Sequence, residues 1–325
     1  MSRIQRRRFL IAAGALLIAP RAADAQQPQK VRRIGFFGNS PSPAVEAFRQ
    51  GLRDLGWVEG QNLTIEFRWM QGRPDRLPGL AEELVSLNLE VILAVASPQV
   101  EAVRQKTKTI PIVFGVHADP VGVGDVASLA RPGGNVTGVS MLMSDLSVKK
   151  LELLKEILPG VTRIAVLWNP ATPSHLPALK ALEAPAAKLK VKLQMVEARV
   201  VEDFEGALSA MTRERAGAFL SLASPVYVTQ RARLAELTSK HRLPGIFDFK
   251  ENAEAGELIS YGVDLNDMLR RSATYVDKIL KGAKPADLPV EQGSKYEMVV
   301  NLKTAKLLGI KIPASVLVRA NQVIE

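Results

Sequence analysis

Val91-Ile92-Leu93-Ala94-Val95-Ala96-Ser97-Pro98 is the stretch whose reading decides the fold. Six apolar residues in a row suit a strand buried on both faces, because a half-buried strand would alternate apolar with polar. Ser97-Pro98 then marks the start of a helix over 98–106. Serine can accept from free N–H groups at a helix start, and proline fits the first helical position, where its missing N–H costs nothing. A second apolar strand, Ile110–Gly115, follows. Strand, helix and strand in this order form a βαβ unit of a parallel sheet covered on both faces.

The same grammar extends outward in both directions. Ile34-Gly35-Phe36-Phe37 reads as a strand. A helix follows with Val45, Phe48, Leu52 and Leu55 at helical spacing, ended by Gly56. Leu63, Ile65 and Phe67 alternate with polar residues as a half-buried strand, and Leu77, Leu80, Leu84 and Leu87 line the next helix. After the breaker-rich loop Arg131-Pro132-Gly133-Gly134-Asn135, Val136–Met141 enters a second unit. There, strands at Ile164–Trp168, Val191–Val196, Ala218–Leu222 and Gly245–Phe247 alternate with helices at Ser147–Leu158, Pro177–Leu189, Phe204–Arg213 and Val226–His241. Leu258–Val263 is a further strand, Asp267–Lys281 an amphipathic helix, and Tyr296–Asn301 and Thr304–Leu308 elements of the tail. The fold class is α/β, with two Rossmann-like units.

The 325 residues include 43 Lys+Arg, 33 Asp+Glu and no cysteine, and 47% are hydrophobic. The length suits two domains, and the apolar fraction excludes a disordered chain. Without cysteine there is no disulfide framework, thiol nucleophile, Cys-based metal site or thioether lipid anchor. The formal charge is +10, of which five arginines and one aspartate in residues 1–25 supply +4 and leave +6 for the rest. That remainder is scattered in short pairs such as Lys149-Lys150 and Arg270-Arg271, which read as solvated surface and not as a nucleic-acid face. Met1–Arg8 is basic, Phe9–Ala19 apolar, and Ala23-Asp24-Ala25 offers small residues for a signal peptidase. Residues 1–25 are expected to be a cleaved signal peptide, and Arg6-Arg7-Arg8-Phe9-Leu10 fits the twin-arginine pattern. The expected location is the periplasm.

A small polar residue stands before proline at five points that follow or flank strand ends: Ser40-Pro41, Ser97-Pro98, Asp119-Pro120, Asn169-Pro170 and Ser224-Pro225. Each has two readings. One is helix capping alone. The other is a shared ligand edge, because open parallel sheets bind ligands beyond the carboxyl ends of their strands, where free N–H groups favour an anion. The three histidines, His117, His175 and His241, lie in separate segments and form no metal motif. Zincin, nucleophile-elbow and phosphate-loop motifs are absent, and Gly35-Phe36-Phe37-Gly38 is not a dinucleotide fingerprint. The expectation is a binder with no catalytic residue, metal or cofactor.

Longer matches carry a resemblance. Leu55-Gly56-Trp57-Val58-Glu59-Gly60-Gln61-Asn62 is followed by Ile65-Glu66-Phe67-Arg68-Trp69, Asp75-Arg76-Leu77-Pro78 and Asp119-Pro120-Val121-Gly122. Arg131–Gly138, Ser260-Tyr261-Gly262-Val263-Asp264 and Asn301-Leu302-Lys303-Thr304-Ala305 complete the set. Through nearly all of Arg32–Glu325 the chain resembles substrate-binding proteins of ABC transporters, in the family related to tryptophan- and tyrosine-uptake binding proteins. The resemblance implies a type I periplasmic-binding fold with three crossing segments. It places residues 31–140 plus 264–290 in an N-terminal lobe and 141–263 plus 291–325 in a C-terminal lobe, a return that periodicity alone does not show. It implies a small, amino-acid-like, carboxylate-bearing ligand captured by hinge closure, a membrane permease as partner, no nucleic acid, and a monomer. A ligand sensor feeding a membrane signalling receptor would use the same clamp, while a periplasmic enzyme finds no supporting motif.

By the same resemblance, Ser97 with Pro98 forms the carboxylate corner, the backbone of Gly115–Ala118 (including Val116 and Ala118) adds hydrogen bonds, and Asp248 pairs with an ammonium. Asn39, Ser40, Asp119, Asn169 and Ser224 complete the expected rim. Ser221-Leu222-Ala223-Ser224-Pro225 departs from the Pro-Thr-Asp-Asn-like loop of many amino-acid-binding relatives, which puts an aromatic amino acid in doubt as the ligand.

Overall fold

The computed structural model describes residues 31–325, so the expected signal peptide lies outside the described residues. The chain runs β1 (Arg32–Gly38), α1 (Pro43–Asp54), β2 (Leu63–Trp69), α2 (Leu77–Ser86), β3 (Val91–Ala96), α3 (Ser97–Lys106), β4 (Ile112–His117) and β5 (Val136–Ser140). It continues with α4 (Met143–Ile157), β6 (Arg163–Trp168), α5 (His175–Lys188), β7 (Lys192–Glu197), α6 (Phe204–Arg213), β8 (Ala218–Ser221), α7 (Pro225–Thr229), α8 (Arg231–His241), β9 (Gly245–Phe247), α9 (Lys250–Glu254) and β10 (Ile259–Val263). Last come α10 (Leu265–Leu280), β11 (Glu291–Gln292), β12 (Tyr296–Asn301), α11 (Leu302–Leu308), α12 (Ala314–Arg319) and β13 (Gln322–Ile324).

Two sheets result. The first has the order β11-β5-β4-β3-β1-β2 and is parallel throughout. The second has the order β13-β12-β10-β9-β8-β6-β7, with the β10–β12 pair antiparallel and its other pairs parallel. Within each, the first five strands of the half follow the doubly wound order 2-1-3-4-5, whose switch point lies beside the first strand. Those switch points fall between β1 and β3, and between β6 and β8. The strands on either side of them are apolar on both faces: Val91, Ile92, Leu93 and Ala94 are fully buried, as are Ala165, Val166, Phe219 and Leu220. Each such Leu, Ile, Val or Phe contributes about 1.5–3 kcal/mol of burial.

The chain crosses between the sheets three times: after β5, after β10 and after β11. The helix α10 packs against α1 and β4 of the first half, although its sequence follows the second. The last crossing falls at residues 293–295, because Glu291 and Gln292 still pair with Val139 and Ser140. Several helices differ from their sequence reading: α4 begins at Met143 rather than Ser147 and α10 at Leu265 rather than Asp267. The helix expected over Val226–His241 is broken at Gln230 into α7 and α8, and α5 begins at His175 rather than Pro177.

Candidate functional site

None of the five polar–proline steps supplies a side-chain cap, although Ser224 and Pro225 do hold the N-cap and first positions of α7. The helix α3 starts at Ser97 itself behind Ala96, and α1 starts at Pro43 behind Ser42; neither has a side-chain cap. No helix follows Asp119-Pro120 directly, and α5 begins several residues after Asn169-Pro170. Among the described residues, Asp264 and Asn301 are the side chains that do cap α-helices, both far from these steps. The first turns of α1 and α3 thus lack side-chain caps, with Pro43 and Pro98 carrying no N–H and the Val45 N–H held by the Ser42 carbonyl, and both open onto one cavity of about 370 Å³ between the sheets.

Both halves line that cavity. The first contributes Phe36, Asn39, Ser40, Val45, Ser97, Pro98, Gln99, Val116 and Ala118. The second contributes Met143, Thr172, Ser224, Val228, Arg231 and Phe249. Leu265 and Leu269 of α10 close one side. Hydrogen bonds bridge the halves at its rim: Asn39 Nδ2 donates to the Pro225 carbonyl at 3.3 Å and to Thr229 Oγ1, and Ser174 Oγ donates to Ser97 Oγ at 3.0 Å.

At the first edge, Ser97 Oγ also accepts the Ala118 N–H at 3.1 Å and lies 3.4 Å from His117 Nδ1. His117 is fully buried at the end of β4, past a register irregularity between Phe114 and His117. Its Nδ1 accepts the Asp119 N–H at 3.1 Å. Its other nitrogen, Nε2, faces Asp125 Oδ2 at 2.8 Å, and Asp125 Oδ1 faces Arg104 Nε at 2.8 Å. The series Ser97, His117, Asp125 has the members of a hydrolytic relay. Its histidine is nevertheless tied down: the Nδ1 lone pair that would take the serine proton already accepts a backbone N–H. The network braces the edge.

At the second edge, Asn169 lies behind Ser224, to which Nδ2 donates at 3.2 Å while also reaching the Arg199 carbonyl. Fully buried His175 accepts the Asn169 N–H at Nδ1 and donates from Nε2 to the Ala223 carbonyl. Burial, helped by the nearby Lys150 charge, pulls its pKa down to about 4, so it is neutral. Beneath this edge, the fully buried Lys150 of α4 contacts Asp248 and the Ser221 carbonyl at 2.6 Å each. Burial pushes the Lys150 pKa down and the Asp248 pKa up, against their mutual attraction. Gly262 in β10 lies under the Asp248 backbone, where an added Cβ would collide with the Asp248 carbonyl. That close approach seats the loop whose next residue, Phe249, lines the cavity.

Seven of the expected residues line the cavity: Asn39, Ser40, Ser97, Pro98, Val116, Ala118 and Ser224. Three do not. Asp119 uses its carboxylate to accept the Gly122 N–H, and Asn169 supports Ser224 from behind. Asp248, expected to meet an ammonium, is 3% exposed and is held by Lys150. Lys150 itself belongs to a pair expected at the surface. Its signal was in the sequence: it lies four residues from both Leu146 and Leu154 on the buried stripe of α4. Gln99, Thr172, Arg231 and Phe249 were missed: Gln99, Arg231 and Phe249 neither end strands nor precede proline, and Thr172, which does precede Pro173, lies past the strand-end step Asn169-Pro170.

The sequence profile of the ABC transporter substrate binding protein family matches residues 38–324, and the chain belongs to that family. The tyrosine-binding protein of Clostridioides difficile (strain R20291) is 25% identical over 287 residues, 87% of this chain and 82% of that protein. A crystal structure of an ABC domain from Streptococcus pneumoniae in complex with L-Trp has a TM-score of 0.82 at 26% identity, covering 91% of this chain and all of that one. The ligand-free, open structure of a substrate-binding protein with adhesive properties from Clostridium difficile has a TM-score of 0.63 at 25% identity, covering 90% of this chain and 99% of that one. At nearly equal identity, the arrangement here is thus more similar to the ligand-bound relative than to the open one. Two mostly parallel sheets with three crossings are the type I periplasmic-binding architecture.

Proposed function

We propose that the chain is the extracytoplasmic solute-binding component of an ABC importer. It captures a small, amino-acid-like, carboxylate-bearing ligand by hinge closure and presents the closed form to a membrane permease. The observation that carries this reading is a cavity lined from both halves and bridged at its rim by Asn39 and Ser97. A ligand shifts such a hinge only by contacts it makes with both halves at once. The greater similarity to the tryptophan complex than to the open relative supports reading this arrangement as the closed form. The tyrosine- and tryptophan-binding relatives support the ligand class.

In this reading, Asn39, Ser40, Ser97, Pro98, Val116, Ala118 and Ser224 touch the ligand, while Asp119, Asn169 and Asp248 hold the frame. The moving bodies are residues 31–140 with 264–292, and 141–263 with the remainder. The protein reaches the periplasm by the twin-arginine signal, acts as a monomer and leaves its ligand chemically unchanged. Calorimetry of ligand-stripped protein against amino acids and organic acids tests it. One-to-one binding that raises the melting temperature is expected; turnover of any solute, or no binding by any, contradicts it.

A further inference from the structure

We propose that the cavity selects an organic anion without a protonated amine: a carboxylate on a compact apolar body, with a neutral hydroxyl in place of the amine. This rests on the cavity being the solute site.

Two independent features of the wall agree in sign, and no acidic lining residue opposes them. Arg231 is the one charged residue among those lining the cavity. Its guanidinium donates to the Val228 carbonyl and, among the described residues, forms no ion pair. Glu251 feels its charge without pairing with it. The first turns of α1 and α3, helices of 12 and 10 residues, open onto the cavity without side-chain caps. Their N–H groups carry the positive ends of the helix dipoles. No Asp or Glu lines the cavity, and the acid nearest in sequence to Phe249, Asp248, is occupied by Lys150. An ammonium would thus enter a desolvated space holding a cation and two positive helix ends, with no counter-charge.

Gln99 supplies the second, separate pointer to a ligand. It lines the cavity in the first turn of α3, is 1% exposed, and neither its Nε2 nor its Oε1 has a partner. A buried amide of this kind needs one acceptor and one donor to be satisfied. A carboxylate oxygen accepts from Nε2, and a hydroxyl donates to Oε1 without bringing a positive charge. Apolar side chains such as Phe36, Val116, Met143, Phe249 and Leu269, with the hydroxyls of Ser97 and Ser224 among them, would pack on an aryl or branched alkyl body.

The test keeps the apolar body fixed and changes the polar group. Ligand-stripped protein is titrated by calorimetry with phenyllactate, phenylpropionate and phenylalanine, and with hydroxyisocaproate, isocaproate and leucine. The hydroxy acid of at least one series should bind best, and its amino acid about a hundredfold more weakly, as an unpaired buried charge requires. Arg231→Gln should weaken the anion about tenfold with the ligand-free melting temperature unchanged. Gln99→Leu should erase the preference for the hydroxy acid over the unsubstituted one. An amino acid that binds more tightly than both its counterparts overturns the inference and leaves the proposed function standing. A sugar or polyamine that raises the melting temperature when neither series does overturns the inference and the carboxylate-bearing ligand class together, and spares only the solute-binding role. Failure of every solute tried overturns both.

Discussion

The two ligand-facing edges are built alike and braced differently. Each has a serine lining the cavity, Ser97 or Ser224, and each has a fully buried histidine, His117 or His175, that accepts a backbone N–H through Nδ1. The first edge then runs outward through charges, from His117 to Asp125 to the half-buried Arg104. The second is neutral at its histidine, which donates to the Ala223 carbonyl, and keeps its charges in a separate sealed pair, Lys150 with Asp248. The same backbone task, fixing a strand-end loop against a ligand, can thus be met by a histidine backed by a carboxylate and an arginine or by a histidine backed by a backbone carbonyl.

Breaking the sealed pair should have the largest effect. Asp248→Ala leaves Lys150 buried and uncompensated, which costs about 3–5 kcal/mol of unfolding free energy. Lys150→Met combined with Asp248→Leu should recover most of it, measured by urea denaturation. If Asp248→Ala instead spared stability and abolished ligand binding, the carboxylate would be a ligand contact after all.

The second contrast is in pH dependence. In the folded chain His175 titrates at about 4 against an ordinary value of 6.5. Between those values the unfolded chain binds the proton and the folded chain does not. This contribution is therefore intact above pH 6.5 and is lost as pH falls towards 4, by roughly 3 kcal/mol in all. His175→Gln, which keeps one donor and one acceptor, should flatten that acid slope. Buried Glu257, pushed up to about 8 by burial, has the opposite sign: its contribution is intact below 4.5 and lost as pH rises through 8. Unfolding free energies measured from pH 4 to 9 in wild type, His175→Gln and Glu257→Gln separate the two slopes.

Smaller effects should come from the charged edge and the rim. Asp125→Ala removes the partner of buried His117 and the Arg104 contact, at about 1–3 kcal/mol. The ligand should weaken in parallel as Ser97 loses its brace, read by melting temperature and calorimetry together. Asn39→Ala deletes the bonds to Pro225 and Thr229 across the halves and the bond from the Gly72 N–H within the first half; it should weaken ligand by about 1 kcal/mol and lower the stability of the ligand-free protein by a similar amount.

The fold was legible because continuous apolar strands such as Val91–Ala96 admit few alternatives, and three of the five polar–proline steps, at Ser40, Ser97 and Ser224, do line the cavity. What stayed hidden depended on long-range geometry. The polar–proline steps read as caps, yet their side chains turned to other partners, 77 residues away for Ser97 with Ser174 and 55 residues away for Asn169 with Ser224. Arg231 enters the site only because the helix expected over 226–241 breaks at Gln230, a bend no proline or glycine announces. Gln99 is an ordinary helical residue in sequence and becomes notable only once its amide is seen buried without a partner.

Solution scattering of ligand-stripped protein, recorded before and after saturation with a solute that raises its melting temperature, tests the clamp most directly. A smaller radius of gyration on saturation, reached in Asn39→Ala only at about fivefold higher solute concentration, is the predicted result. A profile that stays the same while the solute demonstrably binds would contradict it.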